Sequence, residues 1–108
     1  MREPTFVILA CLATEPRHGY AIIADAALLS DGAVRLQAGT LYAALDRLTS
    51  EQLVEVSHEE VVQGRHRRYF AITEHGEAAL RAEAARRRLV TERAVSRLPR
   101  LRPVRPDA

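Results

Sequence analysis

A chain of 108 residues has room for one domain of ordinary size, which buries roughly two thirds of the surface its unfolded form exposes, and none for a second. Its composition, 47% hydrophobic and 28% charged, excludes a disordered chain, and the longest apolar run, Phe6 to Ala13, is far short of the roughly 20 residues that cross a bilayer. No charged leader with a cleavage site precedes that run, so the expectation is a cytoplasmic protein with no membrane partner. The formal net charge of +2 hides an asymmetry: residues 1–60 hold four Arg against nine acids, whereas residues 61–108 hold twelve Arg against five. All sixteen basic residues are Arg, a permanently charged, forked donor suited to phosphate.

In chain order, Pro4 to Thr14 opens with Pro at a helix start and is apolar on nearly every face: Phe6, Val7, Ile8, Leu9, Cys11 and Leu12. A helix apolar all round must be covered all round, and in so small a domain the economical cover is a second subunit. Cys11, the single cysteine, has no intrachain partner and reads as a small buried hydrophobe. After a turn at Glu15–Arg17, His18 to Leu29 is a second helix, with Ile22, Ile23, Ala26, Ala27 and Leu29 on its buried face and His18 as a candidate cap. Ser30-Asp31-Gly32 stops it, and Ala33 to Leu36 is a short extended stretch.

A third helix starts around Ala38-Gly39-Thr40 and runs to about Ser50. Leu41, Leu45 and Leu48 fall on one face, leaving Thr40, Tyr42, Ala43, Asp46, Arg47 and Ser50 on the other. Alternation at Leu53–Ser57 and again at Arg68–Ile72 predicts a hairpin, joined by an arm from Glu59 to His66 that is long for a tight turn and leads into Arg65, Arg67 and Arg68. Thr73 then signals the start of a long helix reaching about Leu98, with apolar stripes at Ala78, Ala82, Ala85, Leu89 and at Leu80, Ala84, Ala94, Leu98. Two stripes imply two neighbours. The Arg86-Arg87-Arg88 run reads as a solvated face, and residues 99–108, with three Pro and three Arg, as a disordered basic tail.

The expected fold is mainly α with a small β-hairpin, an α+β winged helix-turn-helix followed by a dimerisation helix. Residues 1–73 form the DNA-binding part and residues 74–98 the dimerisation helix, with 99–108 as the tail. A helix with a polar outer face followed by an Arg-bearing hairpin suits a duplex, one element entering the major groove while the other reaches the flanking backbone or minor groove. Thr40, Tyr42 and Arg47 are the expected contacts on the third helix, and Ala43 is small enough for close approach. Arg47 would read a guanine edge or hold a phosphate; the alternatives are an ion pair for Arg47 and a core aromatic for Tyr42. Phe6, Leu9, Leu12, Leu80, Ala84, Leu89 and Leu98 are the expected dimer interface.

Three motifs carry a family resemblance over nearly the whole chain: Pro16-Arg17-His18-Gly19-Tyr20, Gly39-Thr40-Leu41-Tyr42-Ala43-Ala44-Leu45-Asp46-Arg47-Leu48, and Arg65-His66-Arg67-Arg68-Tyr69-Phe70-Ala71-Ile72-Thr73-Glu74-His75-Gly76. Together they resemble the PadR family of transcriptional regulators, in its short branch with a single C-terminal helix. The resemblance implies a recognition helix carrying Thr40 and Tyr42, wing contacts from Arg65, Arg67 and Arg68, and His18 and Tyr20 flanking the DNA backbone. It also implies a repressor that leaves its operator when a small-molecule effector, often aromatic or cationic, is sensed, commonly at the dimer interface; a two-fold dimer placing its third helices in successive major grooves makes that operator a palindrome. Gln52 stands where the family often has Gly, Ala43 where Pro is common and Phe70 where Tyr is common; Gln52 bears on the turn after the third helix.

No His stands in a Ser, Cys or metal motif of known spacing, so the chain does not read as an enzyme and no cofactor is indicated. Two alternatives stay beside the ligand-responsive regulator. One is a metal-responsive version using some of His18, His58, His66 and His75 with Glu59, Glu60 or Glu74; the other is a winged helix that binds protein.

Overall fold

A computed structural model describes residues 1–100 of the chain; the expected tail therefore lies outside the described residues, apart from Pro99 and Arg100. The order is α1 (Glu3–Cys11), β1 (Arg17–His18), α2 (Gly19–Leu29), α3 (Ala38–Ser50), β2 (Val54–Val62), β3 (Arg65–Ile72) and α4 (Glu74–Arg97). The three strands form one antiparallel sheet in the order β1-β3-β2.

The core is the meeting of the apolar faces of α1, α2 and α3 under the base of the sheet. Ile8, Leu9, Cys11 and Leu12 meet Ile22 and Ala26, the leucine stripe of α3, Val54 and Phe70. Leu41, Leu45 and Leu48 are fully buried, as their spacing predicts. Arg17 closes the end of α1 by donating from Nε to the Cys11 carbonyl at 2.8 Å. Burial drives the Cys11 thiol up to about 12, with the nearby Asp25 carboxylate adding to the effect, so at neutral pH it is an inert, protonated core group.

The structure departs from the sequence expectations at three places. Leu9 and Leu12 are completely covered within the chain, and Leu80 is half-buried against the same core, so the first two are not interface residues and the third is partly engaged at home. The all-round apolar α1 finds its cover in α2, α4 and the α3 leucines, leaving only Phe6 and Ala10 half-buried among its central residues. Second, the short strand is not Ala33–Leu36, which has no regular structure; it is Arg17–His18, paired with Phe70 and Tyr69. Third, no loose arm joins β2 to β3. Their ladder runs out to Val62 opposite Arg65, and Gln63 and Gly64 alone make the turn, both at positive φ (52° and 77°), the requirement of a type I′ hairpin.

Two junctions position the later elements. At the end of α3 the Leu53 N–H returns to Leu48 O at 2.9 Å and the Gln52 N–H to Thr49 O at 3.0 Å, with Gln52 in the left-handed region at φ 62°. This is a Schellman stop with a non-glycine residue at its left-handed position. Thr73 then caps α4: its hydroxyl accepts from the Gly76 N–H at 2.9 Å and donates to Gln52 O at 2.6 Å, fastening the start of α4 to that stop. A side chain at Gly76 would collide with the Leu53 carbonyl, so only glycine lets α4 lie this close. From about Leu89 onward α4 exposes Leu89, Val90, Val95 and Leu98.

Candidate nucleic-acid interface

With its leucines turned inward, α3 presents Gly39, Thr40, Tyr42, Ala43, Asp46 and Ser50 outward. Tyr42 leans toward the sheet, its ring 6.4 Å from that of Phe70, and its hydroxyl rests on Gly19 so closely that a β-carbon there would overlap it. It is nonetheless 45% exposed, so it is a rim residue held from behind with its edge free.

The wing has two chemically different faces, because side chains alternate along a strand. Tyr69, Arg67 and Arg65 stand on one face opposite His58, Glu60 and Val62; Arg68 and His66 stand on the other opposite Glu59 and Val61, in line with Phe70. The phase is set by a bulge between Val56 and His58, which takes Ser57 out of the ladder. On the first face the His58 ring stacks on Tyr69 at 4.3 Å, and His18 meets Tyr69 edge-on at 5.3 Å. On the second face Tyr42, Glu59, His66 and Arg68 line an open cleft of about 370 Å³ between α3 and the wing. Arg68 donates from Nε to Glu59 Oε1 at 3.0 Å. Among the described residues Arg65 and Arg67 have no ion-pair partner, Glu60 being turned to His58 at 3.5 Å. The wing strands thus balance Glu55, Glu59 and Glu60 against three Arg.

The residues singled out from the sequence separate into two groups. Thr40, Tyr42, Ala43, Arg65, Arg67 and Arg68 are exposed on α3 and the wing, and Tyr20 is 72% exposed at the start of α2. His18 and Arg47 make contacts within the chain, His18 half-buried and Arg47 still exposed. The Ala21 N–H donates to His18 Nδ1 at 3.3 Å, so His18 caps α2 and carries its proton on the other ring nitrogen when neutral. Arg47 lies on the α1 side of α3, donating to Thr5 Oγ1 at 2.9 Å and pairing with Glu51 at 3.5 Å, which is the ion-pair alternative. Glu59 and His66 in the cleft, and Gly19 behind Tyr42, were not singled out as contacts. The i, i+2 spacing of His66 and Arg68 could have placed His66, whereas Glu59 depends on the bulge.

Among the described residues no three His, Cys, Asp or Glu side chains gather as a metal site, and no helix is long and apolar enough to cross a membrane.

Three helices, the third backed by a hairpin that extends its outer face, define a winged helix-turn-helix protein. The model of the transcriptional regulator PadR-like family matches residues 8–82, and the chain belongs to that family. An uncharacterised protein of Lysinibacillus sphaericus is 30% identical over 74 residues, 68% of each chain. A PadR-family regulator from Eggerthella lenta superposes with a TM-score of 0.71 at 26% identity, over 90% of this chain and 82% of that one. Bacillus subtilis PadR, solved in complex with operator DNA, has the same fold, with a TM-score of 0.69 at 16% identity over 97% of this chain and 51% of its own.

Proposed function

We propose that the protein is a sequence-specific DNA-binding repressor that acts in the cytoplasm as a homodimer on a palindromic operator and responds to a small-molecule effector. The observation that carries the reading is the continuity of the outer face of α3 with the cleft of Tyr42, Glu59, His66 and Arg68, a polar surface that sets Arg68 and His66 with one carboxylate and one aromatic edge beside a helix narrow enough for the major groove. The family and the operator-bound Bacillus subtilis relative support it. The exposed Leu89, Val90, Val95 and Leu98, with Ala84, favour a second copy as cover for α4, which in a two-fold dimer sets two α3 helices roughly 34 Å apart on successive grooves. A half-open, mostly apolar pocket of about 480 Å³, between Phe6, Val7 and Ala10 on one side and Leu29 and Val34 on the other, with Glu3 and Ser30 also lining it, is of a size that suits an effector.

Fluorescence anisotropy against the protein's own upstream region and a scrambled duplex, at about 50 and 200 mM salt, tests the proposal. Preference for the upstream duplex that survives the higher salt is the expected result. Equal binding erased by salt would reduce the wing to a phosphate attractor and bring a protein-binding role forward.

A further inference from the structure

The wing places a carboxylate where a DNA-binding surface is expected to avoid one. Glu59 is half-exposed beside Arg68 in the cleft that faces Tyr42, and a bare negative charge there repels a duplex. Its geometry supplies a reason. Glu59 Oε1 engages Arg68 only through Nε, leaving the two terminal nitrogens of the guanidinium without a partner among the described residues. A planar group held at one edge cannot rotate freely, so its remaining donors keep one direction, which a bidentate contact with O6 and N7 of guanine requires. Arg65 and Arg67 lack such a brace and face the other side of the hairpin.

The brace is created by the bulge. With a regular ladder continuing from Val56 opposite Phe70, Glu59 would stand across from Arg67; the extra residue at Ser57 moves it across from Arg68 and onto the α3 side. We infer that Glu59 is a positioning residue for DNA recognition: it orients Arg68 in the cleft beside Tyr42 as a pre-set reader of base edges, while Arg65 and Arg67 serve as phosphate contacts. This rests on the DNA-binding reading above.

The two roles open to Glu59 predict opposite signs. The wild-type protein is first used to enrich a duplex from a random-sequence pool, and that duplex and a scrambled one are titrated with E59A, E59Q, R68A and the double variant E59A/R68A, melting curves confirming the fold of each. Positioning predicts that E59A binds the enriched duplex on the order of tenfold more weakly, the weight of one good base contact, while binding the scrambled duplex as well as or better than wild type. E59Q falls between, its amide oxygen still accepting from Nε. In the R68A background the loss on removing Glu59 disappears. If E59A and E59Q instead tighten both duplexes equally, Glu59 is only a repelling charge and the inference fails while DNA binding stands. A wild-type protein that enriches no motif overturns the DNA-binding reading itself, and the inference with it.

Discussion

Arg87 and Phe6 lie against one another, the guanidinium 4.3 Å above the ring, although they sit on different helices at opposite ends of the chain. The same guanidinium donates to Glu3 at 2.9 Å, to the Met1 carbonyl at 2.8 Å and to Glu83 at 3.2 Å, so the middle residue of the Arg86-Arg87-Arg88 run is a clasp between α4 and the beginning of α1. Arg86 and Arg88 remain on the surface, paired with Glu83 and Glu92 on their own helix.

Removing the clasp loosens α4 from α1. R87A is expected to lower stability by about 1–2 kcal/mol, from the cation–π contact and the charged hydrogen bonds together. R87K keeps the charge but loses the fork, and should recover less than half. Chemical denaturation of the three proteins at equal concentration measures this; an R87A curve overlying wild type would mean the clasp contributes nothing.

Glu83 carries the other half of that cluster. Hydrogen bonding from Arg86, then from Arg87, holds its carboxyl down at about 2 instead of 4.5, against the opposing effect of its burial. A depressed carboxyl pKa stabilises the fold above the ordinary value, and that contribution is lost as pH falls through about 2. Side-chain carboxyl resonances followed by NMR should show Glu83 titrating near 2; a midpoint near 4.5 would dissolve the cluster as described.

Gln52 occupies a left-handed backbone position that costs roughly 1–2 kcal/mol for a residue with a β-carbon, against 0.5–1 for the extra freedom glycine brings to the unfolded chain. Q52G is therefore expected to stabilise by about 0.5–1 kcal/mol, since the carbonyl that accepts from Thr73 is kept. A drop in melting temperature would show that the Gln52 side chain makes a contribution the backbone argument omits.

Gly19 is a test of how Tyr42 is held. In G19A the new methyl meets the end of an exposed side chain, which can swing aside, so stability should change by less than about 1 kcal/mol. DNA binding should suffer more, by roughly 1–3 kcal/mol on the preferred duplex, as for Y42F or T40A. Equal binding by G19A and wild type would separate Tyr42 from recognition.

On the wing, R67A should weaken preferred and scrambled duplexes alike and reduce the salt slope by about one, the signature of a lost phosphate contact. An unchanged slope would place that face of the hairpin away from DNA.

Much of this was legible in the sequence, for local reasons. The leucines of α3 recur at helical spacing, Thr73 is followed by a glycine and an acid in the first turn, and His18 stands where a cap belongs; each of these is a relation within one turn of helix. What escaped was set by distant partners. Arg17–His18 is too short a strand to show alternation and exists only because Tyr69 and Phe70 run past it. The bulge at Ser57 belongs to the pairing of two strands and has no signature in either. A uniformly apolar α1 does not say how many neighbours it has, so Leu9 and Leu12 looked available when their own chain had already enclosed them. Arg87 read as solvated because Glu3 lies 84 positions away.

The balance of Glu55, Glu59 and Glu60 against Arg65, Arg67 and Arg68 bears on kinetics. Glu59 and Glu60 stand across the ladder from Arg68 and Arg67, and opposite charges this near one another partly offset beyond a Debye length, about 10 Å at 0.1 M salt, so the pull of the hairpin on a duplex of arbitrary sequence is reduced to that of its unpaired Arg. For a regulator built this way the expectation is a short dwell on random DNA, with a search made up more of brief landings than of long slides along the helix.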